Sequence, residues 1–219
     1  MASLEKIASL PLHGVDKLWS LNLRPSCPKL LIVLLTMTML GCGPTETTNQ
    51  VIESVETESS QRVVRNLRGE SIVSKMSPVR LRLPRNWSPV PSNNLHPTAE
   101  LQAHNPSREI FVIVLGEDRT QGVTDGALNQ QAQSYLQILK AGLNQVLSQE
   151  NLTEVNKVNG FDAVQYNVRG EVFGTEVAYL HTTVAMNDRY YQVVAWTPNS
   201  RYSQNVDEMQ AIIQEFQPD

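Results

Sequence analysis

The sequence predicts an α+β fold: an α/β/α sandwich with a central, mostly antiparallel sheet and two main helices. Three observations lead to this prediction. Strand-like alternation occurs on both sides of a helix-like stripe, short turn sequences separate the later strands, and one strand is apolar on both faces. The composition, 41% hydrophobic and 18% charged, is that of a chain with a core of ordinary size.

The first predicted strands precede the first helix. Val79, Leu81 and Leu83 alternate with arginines up to Pro84, and residues 99–103 alternate in the same way. Residues 110–115 form an unbroken apolar run, IFVIVL. A strand that is apolar on both faces belongs in the centre of a sheet that is covered on both sides.

Helical spacing marks the next segment and the end of the chain. Apolar residues from Leu128 to Leu147 recur at helical intervals, with Thr124 or Asp125 available to cap the first turn. We read this stripe as a core-facing surface. The second helix, with Ser200 or Ser203 as its cap, is marked by Val206, Met209, Ile212, Ile213 and Phe216.

Between the two helices the strand period returns. Residues 164–169, 177–182 and 190–196 alternate with period two. Gly170 and Gly174 bracket one reversal, and Asn187-Asp188 separates two runs in the manner of a tight hairpin turn. Hairpins join antiparallel strands, which is why we expect a mostly antiparallel sheet.

The N-terminal region has the organisation of an export signal. Arg24 and Lys29 precede an uncharged apolar run, residues 30–40, which as a helix would rise only about 16 Å and would not cross a bilayer of about 30 Å. Met39-Leu40-Gly41-Cys42 resembles the bacterial lipobox, which implies cleavage before Cys42 and acylation (palmitate) of that residue. The alternatives are an ordinary cleaved signal with an incidental cysteine, and an organelle transit peptide.

These observations divide the chain into three parts. Residues 1–41 are expected to be a lipoprotein signal peptide, residues 42–70 a flexible stalk, and residues 71–219 the folded domain. The stalk is predicted because residues 43–68 are rich in Thr, Glu, Ser and Gln and lack an apolar pattern that could offset the entropy of ordering.

Several short motifs of the domain resemble those of one family. They are Leu83-Pro84-x-x-Trp87 after a strand, Arg108-Glu109-Ile110-Phe111, Gly160-Phe161-Asp162-Ala163, Tyr190-Tyr191-Gln192, and a closing helix that ends at Phe216. Together, over residues 71–217, they resemble the PsbP/DcrB-like superfamily, and in particular its bacterial lipoprotein members. The resemblance implies a PsbP-like fold and a protein that is not an enzyme.

Few residues suggest chemistry. Neither an HExxH nor a CxxC spacing occurs, and three histidines are weak candidates for metal ligands: His96, His104 and His181. Glu117, Asp118 and Asp125 could bind a hard cation or simply favour a helix start. We expect no catalytic residues and no cofactor. Four large aromatic side chains could line an interaction surface or belong to the core: Trp87, Tyr190, Tyr191 and Trp196.

The sequence thus favours a lipid-anchored, non-enzymatic accessory, assembly or binding factor on the extracytoplasmic side of a membrane, periplasmic or thylakoid lumenal, with an unknown protein partner. No nucleic-acid partner is expected, because the densest basic group after residue 41 is only Arg80, Arg82 and Arg85. Three alternatives stay open: a photosystem II-associated PsbP-like extrinsic protein, a small-ligand or metal-binding envelope module, and a weak hydrolase.

Overall fold

The computed structural model describes residues 60–66, 69–91, 94–118, 127–148 and 150–219. The helices are α1 (Ala127–Ala141) and α2 (Tyr202–Gln214), the latter preceded by a 3-10 turn, Asn199–Arg201. The strands are β1 (Gln61–Asn66), β2 (Gly69–Ser74), β3 (Val79–Leu83), β4 (Ser88–Pro89), β5 (Leu101–Asn105), β6 (Ile110–Asp118), β7 (Gln145–Val146), β8 (Asn151–Leu152), β9 (Lys157–Val158), β10 (Phe161–Val172), β11 (Thr175–Met186), β12 (Arg189–Pro198) and β13 (Phe216–Pro218).

The central sheet has nine strands in the order β4-β5-β6-β12-β11-β10-β7, with β8 and β9 also paired to β10. Each pair in it is antiparallel. The strand β6 lies between β5 and β12, and its first six residues are buried. The central position predicted from its unbroken apolar run is therefore confirmed.

The two helices cover opposite faces of this sheet. On one face, Met209, Ile212 and Ile213 of α2 share a core with Leu180 and Val193. On the other face, α1 packs through three buried side chains (Tyr135, Leu136 and Leu139) against a core that includes Phe111, Val194 and Trp196. Neighbouring residues of one strand, such as Val193 and Val194, point to opposite cores, as strand geometry requires. The predicted α/β/α sandwich is confirmed.

A second, four-stranded sheet lies on the α2 side, in the order β1-β2-β3-β13. Its inward residues, among them Ile72, Leu81 and Phe216, join the same core as α2. The sequence did not predict this sheet. Phe216, which was expected to end the second helix, instead starts β13 opposite Leu81.

The folded domain begins earlier than the sequence predicted. Residues 61–66 and 69–70, assigned to the flexible stalk, form β1 and the start of β2. The reason lies in Gln61, which is buried, donates through Nε2 to the carbonyl of Val90 at 2.7 Å and accepts from the amide of Gln102 at 2.7 Å. The predicted signal peptide and residues 42–59 of the predicted stalk lie outside the described residues.

Helix α1 is shorter than the predicted helix, which extended to Leu147. It ends at Ala141, and the amide of Gly142 bonds back to the carbonyls of Ile138 and Leu139. The chain then turns so that Gln145–Val146 pairs with β10, which satisfies backbone groups along the sheet edge. Long-range pairing outweighs the helical pattern here, and the proposed caps Thr124 and Asp125 lie outside the described residues.

The predicted turns agree better with the structure than the predicted helix caps do. Asn187, with φ 55°, begins the tight turn between β11 and β12, as predicted. The reversal between β10 and β11 occurs at Phe173-Gly174, where Gly174 has φ 77°, whereas Gly170 stays within β10. The predicted serine caps of the second helix are wrong: α2 begins after Arg201 without a side-chain cap.

Candidate functional site

The four aromatic residues considered for an interaction surface are buried. Trp87, Tyr190, Tyr191 and Trp196 are exposed by only 6%, 4%, 2% and 5%. The indole of Trp87 donates to Glu208 at 3.0 Å, and Trp196 stacks on Phe111 with ring centroids 5.5 Å apart. They form no exposed patch, because three of them lie on the doubly covered strand β12 and Trp87 packs into the α2 core. The alternative assignment, to the core, is the correct one.

The three candidate histidines occupy separate elements. His96 lies in the segment before β5, where its Nδ1 accepts from the amide of Thr98 at 3.3 Å. His104 lies on β5 beside Phe111, and His181 lies on β11 beneath Tyr135. Among the described residues, no three His, Cys, Asp or Glu side chains are grouped so that they could hold a metal ion. Cys42 lies outside those residues.

The two acidic residues at the end of β6, Glu117 and Asp118, have separate partners. Glu117 accepts a hydrogen bond from Gln131 of α1. Asp118 pairs instead with Arg189 at 3.0 Å. The third candidate ligand of a hard cation, Asp125, is not among the described residues, so the geometry of the two others gives no support to a shared cation site.

A buried polar cluster lies between α1 and the sheet. His181, Thr183 and Gln192 are each 0% exposed. The Oε1 of Gln192 is 2.9 Å from Nε2 of His181 and accepts from the hydroxyl of Thr183 at 2.6 Å. Because Oε1 can only accept, the imidazole carries its hydrogen on Nε2. Its Nδ1 has no partner within the described part of the chain.

Burial sets the charge state of this cluster. It lowers the pKa of His181 to about 4, although the hydrogen bond with Gln192 acts in the opposite direction. It also raises the pKa of the Glu117 carboxyl, partly offset by hydrogen bonds from Gln131 and Gln192. Burial and the nearby charge of Glu117 both raise the pKa of Tyr135. At neutral pH a neutral imidazole therefore lies against a neutral phenol, with ring centroids 5.0 Å apart.

The polar cluster resembles a hydrolytic site only in part. A hydroxyl, Thr183, lies 3.4 Å from the imidazole, but it donates to Gln192 rather than to His181. A nucleophile–histidine pair needs an acid that orients the imidazole through its other nitrogen, and no described residue occupies that position. The three side chains are also inaccessible to solvent. The cluster is therefore best described as a hydrogen-bonded part of the core.

Two surface cavities lined by described residues could hold a ligand. The first, here called the amide groove, has a volume of about 360 Å³ and lies between α1 and the outer strands of the sheet. Its lining residues are Gln130, Gln133, Ser134, Leu136, Gln137, Glu150 and Tyr166. The sequence did not predict this site, although residues 130, 133, 134 and 137 form a row of uncharged polar side chains at helical spacing.

The second cavity, of about 380 Å³, lies at the opposite edge of the sheet beside β4. Five of the seven residues that line it are apolar, and two of these are prolines: Pro89, Val90, Pro91, Asn94, Leu95, His104 and Phe111. Val90, Leu95 and Phe111 are themselves core residues, so the cavity is an opening in the α1-side core rather than a convergence of polar groups.

No helix among the described residues is both long enough and apolar enough to span a bilayer. Neither a protein-family model nor a curated protein sequence matches this chain. Solved structures do. The solution structure of cyanobacterial PsbP (CyanoP) from Synechocystis sp. PCC 6803 matches with a TM-score of 0.50 at 10% identity, over 81% of this chain and 100% of that chain.

Two further structures match with lower scores. LpqN, which is involved in cell envelope biogenesis of Mycobacterium tuberculosis, has a TM-score of 0.48 at 14% identity, over 72% of this chain and 91% of its own. The Ran-binding protein Mog1p of Saccharomyces cerevisiae has a TM-score of 0.40 at 11% identity, over 74% and 96%. The resemblance inferred from the sequence motifs is confirmed at the level of the fold: this chain has the α+β fold of the PsbP-like proteins.

Proposed function

We propose that this chain is a lipoprotein, anchored to a membrane through acylated Cys42, that acts on the extracytoplasmic side as a non-enzymatic accessory protein for a protein partner. The observation that carries the proposal is the position of Cys42 directly after a short apolar run and ahead of a folded domain whose described residues begin at residue 60. A cysteine in that position is where a lipoprotein is cleaved and acylated.

The anchor is physically sufficient. Each buried CH₂ of an acyl chain contributes about 0.8 kcal/mol, so two or more chains hold a protein on a bilayer stably. Residues 43–59 separate the anchor from the first described residue, Ser60. A chain of that length spans at most roughly 60 Å when extended. The PsbP-like domain could therefore reach a partner that projects well beyond the lipid headgroups.

A non-enzymatic role is supported by the arrangement of polar groups. His181 and Thr183 are fully buried, and no described carboxylate contacts the imidazole. The fold similarity to cyanobacterial PsbP favours one more specific candidate, a PsbP-like extrinsic protein on the lumenal side of a thylakoid membrane. A chain with that role would copurify with photosystem II, whereas a general envelope protein would not.

The two cysteines of the chain provide a matched test of the anchor. Cells that express the wild type, Cys42→Ser or Cys27→Ser are labelled with palmitate and then fractionated. We expect label and membrane retention in the wild type and in Cys27→Ser, because Cys27 lies upstream of the cleavage point. We expect no label in Cys42→Ser. An unacylated wild-type N-terminus, found by mass spectrometry, would overturn the anchor.

The accessory role is tested separately, after crosslinking in intact cells. The tagged wild-type protein is solubilised, and the mass of the purified complex is measured. A discrete complex with a second protein in fixed stoichiometry is expected. A chain that stays monomeric across detergents, salt concentrations and growth conditions would contradict the accessory role, whatever the palmitate labelling shows.

A further inference from the structure

The exposed stripe of α1 along the amide groove is uncharged. Gln130, Gln133, Ser134 and Gln137 follow each other at the spacing that places side chains on one face of a helix, and all four are exposed. Lys140 is the only charged residue in the fifteen residues of α1. Exposed helix faces ordinarily carry charged side chains, which makes a row of amides next to a cavity unusual.

The opposite wall of the groove combines an aromatic ring with one carboxylate. Tyr166 lies on β10 and is half-buried, and Leu152 stands opposite it on β8 with 65% exposure. Residues directly opposite in an antiparallel pair lie on the same face, so Leu152 lies on the same face of the sheet as Tyr166. Glu150 pairs with Lys140 at 2.9 Å and fixes one part of the groove wall.

The glutamine amides of the groove are not engaged by the rest of the described chain. Within the described residues, the side chains of Gln130, Gln133 and Gln137 make no hydrogen bond to the protein. Each amide offers one acceptor oxygen and two donor hydrogens. The volume of about 360 Å³ lies in the range of roughly 300–1,000 Å³ that is usual for small-ligand sites.

These properties select a class of ligand. A sugar ring presents hydroxyl groups, each both donor and acceptor, around an apolar C–H face, and the groove offers amides beside an aromatic ring. A phosphate or other strong anion would require clustered Arg or Lys, which the lining lacks. An extended peptide would add to a sheet edge, but the β10 edge is already paired by β7, β8 and β9. We propose that the amide groove binds a neutral oligosaccharide.

In this arrangement the C–H face of one sugar unit packs on Tyr166, while its hydroxyls bond to Gln133 and Gln137. The site needs neither the lipid anchor nor a protein partner, so it goes beyond the function proposed above. In an extracytoplasmic protein it would give the domain an affinity for envelope glycan, and a failed palmitate-labelling test would leave the groove unaffected.

Binding is tested on the full chain, purified from membranes in a detergent that has no sugar headgroup, because a glycoside detergent would compete for the site. Isothermal titration is carried out with maltotriose, cellotriose and chitotriose, and with trigalacturonate and trialanine as comparators. We expect saturable binding of at least one neutral trisaccharide with a Kd below about 1 mM. The double variant Gln133→Ala/Gln137→Ala should weaken that binding at least tenfold.

The matched control is Gln204→Ala, which removes an exposed glutamine from α2 instead of α1 and should leave the Kd unchanged. The proposal is overturned if none of the three neutral sugars binds. It is equally overturned if trigalacturonate or trialanine binds more tightly than they do, or if the double variant binds as well as the wild type.

The aromatic contribution is tested at Tyr166. Tyr166→Phe keeps the ring and should change the Kd less than threefold, whereas Tyr166→Leu removes it and should weaken binding at least tenfold. Because Tyr166 also packs against the core, near-UV circular dichroism establishes that each variant is folded. If Tyr166→Leu does not fold, the exposed double glutamine variant decides the question.

Discussion

Helix α2 covers its face of the central sheet with fully buried apolar side chains (Met209, Ile212 and Ile213), whereas α1 covers the other face partly across a polar cluster. Under α2, Asn205 donates to Thr197 at 2.7 Å and Gln165 donates to Thr182 at 2.9 Å, and Oδ1 of Asn167 lacks a partner within the described chain. Under α1, within the described chain, Nδ1 of His181 and the hydroxyls of Tyr135 and Tyr179 lack partners.

The difference indicates that the α2 face of the central sheet contributes more to stability than the α1 face. A buried polar atom without a partner costs about 1–3 kcal/mol, so the α1 face is the less optimised of the two. The same helix carries the uncharged stripe of the amide groove. Departures from ideal packing concentrate at functional sites in natural proteins, and both departures here meet on α1.

The largest expected effect comes from shortening a side chain under α2. Ile213→Ala leaves a cavity in a fully buried position and should lower the free energy of unfolding by about 2–5 kcal/mol. The same change on the other helix, Ile138→Ala, affects a half-buried residue and should lower it by less than half as much. Urea denaturation measures both, and equal losses would remove the contrast between the faces.

Acid should weaken the α1 face selectively. The pKa of His181 is about 4 in the folded chain against an ordinary value of 6.5, so below pH 6.5 the unfolded state binds the proton first. Stability should therefore be complete above pH 6.5 and fall by about 3 kcal/mol as the pH reaches 4. Urea midpoints measured from pH 7 to pH 4 should show this loss.

His181→Gln should flatten this acid dependence. Glu117 contributes with the opposite sign, because its raised pKa stabilises the folded state as the pH falls. Glu117→Gln should therefore steepen the loss. A wild-type curve that is flat between pH 6.5 and 4, together with an unchanged Glu117→Gln curve, would contradict the assignment of the imidazole.

A smaller effect is expected where the two sheets meet on the α2 side. Glu100 is 1% exposed, pairs with Arg189 at 3.2 Å and accepts from the hydroxyl of Ser74 at 2.8 Å. A Cβ at Gly116 would lie 2.2 Å from a carboxylate oxygen of Glu100, so Gly116→Ala must displace the ion pair. We expect a loss of about 1–3 kcal/mol by thermal unfolding. Retained stability would mean that the ion pair can shift freely.

The smallest effect concerns the amide groove itself. Gln133→Ala replaces an exposed residue with the best helix former, so stability should stay the same or rise by a few tenths of a kcal/mol. A loss above about 1 kcal/mol in calorimetry would show that the amide supports the fold, and the groove would then be a structural feature rather than a binding site.

The sequence predicted the elements that are specified by a local pattern of residues, such as an apolar run or a turn sequence. The apolar run at Ile110 required a central strand, and Asn187-Asp188 required a tight turn. The features that the sequence did not predict depend on contacts with residues far away in the chain. The end of α1 is set by the β10 edge, and β1 is held through Gln61, a polar residue with nothing in its neighbourhood that indicates burial.

The amide groove illustrates the same division. Its helical half, from Gln130 to Gln137, is visible in the sequence as a row of uncharged polar residues, but its aromatic wall comes from Tyr166 on a strand farther along the chain. Only the pairing of β8 and β10 places Leu152 beside that ring. The four aromatic residues considered for an interaction surface are instead buried in the core: Trp87, Tyr190, Tyr191 and Trp196.

The attachment of β1 has a mechanical consequence. A pull from the N-terminus would act at Ser60, on the end of β1 that lies farthest from the turn to β2, and would peel the hairpin open one pair at a time. Ser60 donates to the carbonyl of Ala99 at 2.9 Å, and Gln61 holds the neighbouring strand layer through its side chain. These two residues would take up force before the hairpin does, so the domain would keep its first strand under such a pull.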